Sequence, residues 1–131
     1  METNLTSQEA TKLANNFFTV SVSLTDYLFQ KWGTLTQVER DKLISNIRKI
    51  SNNGQKLLAL SATLVVEQSK ASLTTIDTVT NNIKANLQTI ANVQKTINIA
   101  TSVVKLGSAL ISKNPVTIVQ AVTDLQAVFS A

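Results

Sequence analysis

The chain has 131 residues, a length at which one domain removes roughly two-thirds of its unfolded surface from water, so 1–131 reads as a single domain with a real core. Hydrophobic residues make up 44% but charged residues only 15%, against about 25% in an ordinary globular domain, and Thr, Asn, Ser and Gln fill the difference. With no Cys and no His, disulfides, thiolate ligands and the usual neutral-pH acid–base group are excluded, no cofactor is expected, and one Pro with three Gly leaves room for few tight turns between long elements.

The N-terminus, Met1-Glu2-Thr3-Asn4-Leu5-Thr6, has no basic region followed by an apolar run, so no secretory signal is visible and a soluble, cytoplasmic location is expected. The longest nearly apolar stretches, Leu57 to Val66 and Ile97 to Ile111, fall short of the ~20 residues of a spanning helix.

From Ser7 to Trp32, Leu13, Phe17, Val20 or Ser21, Leu24 and Leu28 recur at three- and four-residue spacings, the pattern of one helix face. Phe18, Val20, Val22 and Leu24 also alternate with Thr19, Ser21 and Ser23, as in a strand. A strand needs a partner and no other segment offers one, so helix is preferred. Phe17, Phe18, Tyr27, Phe29 and Trp32 concentrate the aromatics here, either filling the core, or lining a ligand pocket or inserting into a membrane.

Gly33 suits a left-handed C′ position, and Thr36 with Glu39 forms a capping box that starts a second helix. Leu43, Ile50, Leu57 and Leu64 then repeat every seven residues, flanked by Ile44, Ile47, Leu58 and Val65. This stripe keeps its phase through Asn52-Asn53-Gly54 and loses it across residues 67–72, where Thr74 with Asp77 offers a new cap. The turn is therefore placed there rather than at Gly54, since the alternative demands a helix from Gln55 to Ser112 about 86 Å long.

Ile76, Ile83, Ile90, Ile97, Val104 and Ile111 recur at intervals of seven, with Val79, Val93 and Ala100 three residues after the first, third and fourth. The spacing predicts a long, coiled-coil-like third helix with Asn86 on its seam. Lys113-Asn114-Pro115 ends it and starts a fourth, with Asn114 as N-cap, Pro115 in the first turn, and Ile118, Val119, Val122, Leu125 and Val128 or Phe129 inward. The fold class is all-α, an antiparallel up-down bundle of about four helices.

The net charge of +4 is uneven: residues 36–71 carry six Lys or Arg and three acids. Lys42, Lys49 and Lys56, with Arg48 beside them, form a candidate face for an anionic partner. Nucleic acid is disfavoured, because the aromatics that would stack on bases lie elsewhere. Glu39 and Asp41 face different sides of their helix, Glu67, Asp77 and Asp124 are isolated, and Asp26 next to Tyr27 is a lone acid, so neither a metal centre nor an enzyme is expected.

Beside the third seam, Thr75, Asn82, Thr89 and Thr96 form one stripe, and Asn81, Gln88 and Lys95 another. Such low-charge faces lower the desolvation cost of contact. The leading expectation is a non-catalytic protein that associates with itself or with a helical partner. Small residues (Ala100, Thr101, Gly107, Ser108, Ala109) face Ala121 and Ala127 across Asn114-Pro115 and allow close helix approach. This apolar hairpin, about a quarter of the chain, resembles the hydrophobic segments of helical pore-forming toxins, which implies a membrane-active alternative.

Overall fold

The computed structural model describes residues 7–60, 69–112 and 114–130. They form α1 (Ser7–Lys31), α2 (Gln37–Ala59), α3 (Ser69–Asn86), α4 (Val93–Ser112) and α5 (Pro115–Ser130), with 3-10 turns at Trp32–Thr34 and Leu87–Thr89 and no strand. The described residues are all-helical, with five α-helices in place of about four.

In α1 the helical spacing wins over the strand alternation, because burying Leu13, Phe17, Val20, Leu24 and Leu28 on one face satisfies every intervening backbone group within the helix. Gly33 lies in the 3-10 turn and does not adopt the left-handed conformation expected of it. The free carbonyls are met otherwise. The Leu35 N–H reaches the Lys31 oxygen at 3.2 Å, while Arg40 donates from Nε and Nη2 to the Trp32 oxygen at 3.0 and 2.6 Å with its guanidinium 4.6 Å from the indole centre.

The capping box of α2 is complete: the Glu39 N–H donates to Thr36 Oγ1 at 3.2 Å and the Thr36 N–H to Glu39 Oε1 at 2.8 Å. Asn52-Asn53-Gly54 is mid-helix, not a break. A Cβ on Gly54 would lie 2.8 Å from Phe18 Cε1, so its bareness admits the α1 ring. Asn53, buried, donates from Nδ2 to the Val104 oxygen at 3.2 Å and packs against Gly107. Residues that resemble a turn therefore serve two close helix contacts. Residues 67 and 68 of the expected turn, with Leu64 and Val65, lie outside the described residues, and α3 is already helical at Ser69, ahead of the expected cap at Thr74.

The long third helix is replaced by α3, a corner and α4. Thr74 through Ser112 as one helix would span about 58 Å, whereas α1, with 25 residues, offers a neighbour only about 38 Å long. Side chains stabilise the corner locally. Asn86 donates to the Asn82 oxygen at 3.0 Å, Thr89 Oγ1 to the Asn86 oxygen at 2.7 Å, and Asn92 Oδ1 accepts the Lys95 N–H at 3.2 Å to start α4. Asn86 is thus exposed at a helix end rather than on an inner seam. Leu87, fully buried, and Ile90, partly buried, pin the corner to the core.

Ile76, Ile83 and Ile97 are buried as expected, but Val104 and Ile111 are only half-buried. The innermost line of α4 is instead Thr96, Ile99, Val103, Leu106 and Leu110. Asn114 Oδ1 caps α5 by accepting the Val116 and Thr117 N–H groups at 3.1 and 3.2 Å. Ile118, Val122 and Leu125 are inward, while Val119, expected inward, is 51% exposed because the turn of the helix carries it past the α4 contact.

Buried residues of all five helices join in one core. The main contacts run from α1 to α2, α4, α5, α3 and back to α1. Contact pairs give directions. Trp32 with Arg40 and Phe18 with Gly54 set α1 and α2 in opposite senses. Lys12 with Asp77 (3.5 Å) and Ser23 with Gln88 (3.3 Å) set α1 and α3 in the same sense, as Asn46 with Thr101 and Asn53 with Val104 do for α2 and α4. Lys95, 6.0 Å from the Phe129 ring centre, faces the far end of α5. Gly107 meets Asn53 of α2, Ser108 and Ala109 line a groove with Ala121 of α5, and Ala127 is exposed.

Candidate functional site

Helix periodicity only places residues on a common face while the helix is continuous, and the α3–α4 corner interrupts the Thr/Asn stripe. Thr75 is half-buried on α3, Asn82 is exposed, and Thr89 is exposed within the corner with its hydroxyl bound to the Asn86 oxygen. Thr96 is fully buried with no hydrogen-bond partner for its Oγ1. These four residues do not form one surface. In the companion stripe, Asn81 is exposed and Gln88 donates into the core at the Ser23 oxygen.

The basic residues keep their expected exposure because α2 remains one helix across them. Lys42, Arg48, Lys49 and Lys56 all face solvent. Lys42 and Lys49 border a shallow groove of about 420 Å³ between α2 and α4, with Asn46, Ile97 and Thr101 on its walls. Arg48 lies on the other shoulder of α2, beside Ile44. Asp41 borders both grooves, so neither is lined by cations alone.

The acids are dispersed. Asp41 accepts from Gln37 and Asp124 from Gln120, Glu39 closes the capping box, and Asp77 pairs with Lys12. Asp26 is exposed while its neighbour Tyr27 is fully buried, so the two point to different sides of α1. Among the described residues no three potential metal ligands cluster, and no helix is long and apolar enough to cross a membrane.

The most conspicuous surface feature was not singled out from sequence. Phe18, Val22, Thr25, Phe29 and Trp32 recur at spacings of four and three, a second apolar line on α1 outside the Phe17–Leu24–Leu28 line. Phe18 is half-buried against Gly54, whereas Val22 is 61% and Phe29 70% exposed. On α2, Ile44 and Ile47 are half-buried and Leu58 is exposed on the same outer side. In the sequence this line is a second apolar stripe parallel to the inner one on the same helix. A lone exposed apolar side chain is ordinary, but an aligned set across two adjacent helices is the pattern of a contact surface.

The α4–α5 hairpin has a groove of about 590 Å³, with Val104, Ala109 and Ala121 on its walls and Val116 at its mouth. Val116 is 79% exposed. Compared with protein-family models, curated proteins and solved structures, the chain matches none.

Proposed function

We propose that this chain is a non-catalytic helical-bundle protein, its helices alternating up and down along the sequence, which works by protein–protein contact through the outer face of the α1–α2 hairpin. The supporting observation is the exposure of Phe29 and Val22 in line with Phe18, next to Ile44 and Ile47. Covering such a patch recovers about 25 cal/mol for each Å² of apolar surface removed from water, and exposed aromatics anchor contacts disproportionately. The proposed contact surface thus moves from the interrupted Thr/Asn stripe to the α1–α2 hairpin. A photo-crosslinking residue at position 29, introduced into the protein in its producing cell, is expected to trap another chain efficiently, whereas the same residue at Gln94 or Thr123 traps little. Equal yields at the three positions refute a dedicated face.

A second reading is membrane activity. It is favoured by the exposed Val116 and Val119 beside the apolar α4–α5 groove, with the α2 lysines as an anionic-surface anchor. Flotation with vesicles rich in anionic lipid at low salt tests it, and absence of co-flotation ends it.

A further inference from the structure

We propose that the occupant of the α1–α2 face is a second copy of this chain, the two hairpins meeting about a two-fold axis parallel to the helices. The inference rests on the contact face proposed above and adds the partner's identity.

The argument comes from where two of the charges beside the apolar line stand, one on each helix; Arg40 is already held against Trp32, and Lys84 and Asp41 border the same grooves. Asp26 is exposed on α1, one helical turn from both Val22 and Phe29, and Arg48 is exposed on α2, one turn from Ile44. The contacts of Trp32 with Arg40 and of Phe18 with Gly54 set the register of the hairpin. In that register Asp26 is level with position 46 and Arg48 with position 24, a difference in height of about 3 Å. An acid and a base therefore stand at nearly the same level on opposite edges of one apolar face. Neither is engaged in an ion pair or side-chain hydrogen bond within the described chain.

A two-fold axis along the helices lays α1 of one copy over α2 of the other, in opposite directions like the pair within each hairpin. Asp26 then opposes the partner's Arg48, and by symmetry the contact occurs twice. An axis across the helices would instead lay α1 on α1 and bring like charges towards each other. Charge complementarity thus selects one self-pairing over the other, while the apolar line supplies the area. The paired charges sit at the rim, where each exposed pair is worth little alone but acts on orientation.

Sedimentation velocity on the full chain, from micromolar to millimolar concentration, tests the proposal. The expected result is a concentration-dependent shift from monomer to dimer that Phe29→Glu abolishes and Val119→Glu, on α5, does not. Asp26→Arg and Arg48→Asp singly are each expected to weaken the dimer about tenfold, and the double exchange restores it. Thermal melts show whether each variant is folded; if Phe29→Glu is not, the charge exchange alone carries the test. A wild-type chain that stays monomeric throughout, or charge variants that the exchange fails to rescue, overturns the second copy. If the chain is monomeric while the position-29 probe still traps a protein of different mass, the contact face survives and only its occupant was wrong. If the probe traps nothing, both fail.

Discussion

Gly107 is a point of close approach between α2 and α4, so Gly107→Ala probes the packing directly. A Cβ there would lie 2.8 Å from Asn53 Cβ and 2.9 Å from its Cγ. The Asn53 Cβ cannot rotate away, since it moves only with the α2 backbone, so the helices must separate. Overpacking of this kind costs about 1–3 kcal/mol, and disturbing the hydrogen bond from Asn53 to the Val104 oxygen adds about 1 kcal/mol. Replacing glycine inside a helix returns about 0.5–1 kcal/mol. The net expectation is a loss of about 2 kcal/mol, or a fall in Tm of about 8 °C at this chain length. Urea unfolding followed by far-UV circular dichroism measures it by linear extrapolation. A double-mutant cycle sharpens the result: Asn53→Ala should cost less in the Gly107→Ala background than alone, with a coupling of about 0.5–3 kcal/mol. If Gly107→Ala proves as stable as the parent or more so, the close α2–α4 approach is wrong.

Gly33→Ala should behave oppositely, since no atom lies within 4 Å of the added Cβ and its φ is ordinary; a gain of about 0.4–1 kcal/mol is expected in the same urea assay. Thr96→Val should preserve the fold and stabilise it by about 1 kcal/mol, because the hydroxyl it removes is buried without a partner; a loss of stability, or an effect on self-association, would contradict the core position of Thr96. Asn92→Ala removes the cap that restarts α4 and should cost about 1 kcal/mol, with Asn52→Ala on the exposed side of α2 as a control near zero.

Features that depend on residues three or four apart were legible directly. The Thr36–Glu39 capping box and the Asn114–Pro115 start of α5 stand as read, because the donor, acceptor and orphan backbone groups all lie within one helical turn. The inward faces of α1 and α2 were legible for a related reason: apolar spacing of three and four residues specifies a face for as long as a helix persists, and both helices persist. The outer α1 line, by contrast, was in the sequence yet had no meaning until the exposure of Val22 and Phe29 showed that no other described helix covers it.

What tertiary structure alone decided is the fate of chemically similar Asn-rich segments. Asn53-Gly54 stays helical and admits Phe18, while Asn53 itself reaches Gly107 of α4. Asn86 to Asn92 turns a corner even though the isoleucine period runs straight across it. Local propensity is nearly balanced in both segments, so the outcome follows from which neighbour is within reach: α1 and α4 flank Gly54 and reward continuity, whereas a straight α3–α4 helix would outrun the helices available to cover it. The composition and periodicity of this chain by themselves determined that it is helical and which side chains of α1 and α2 form their inner lines. Where its helices stop, and therefore which residues share its outer surfaces, was settled by packing between segments far apart in sequence.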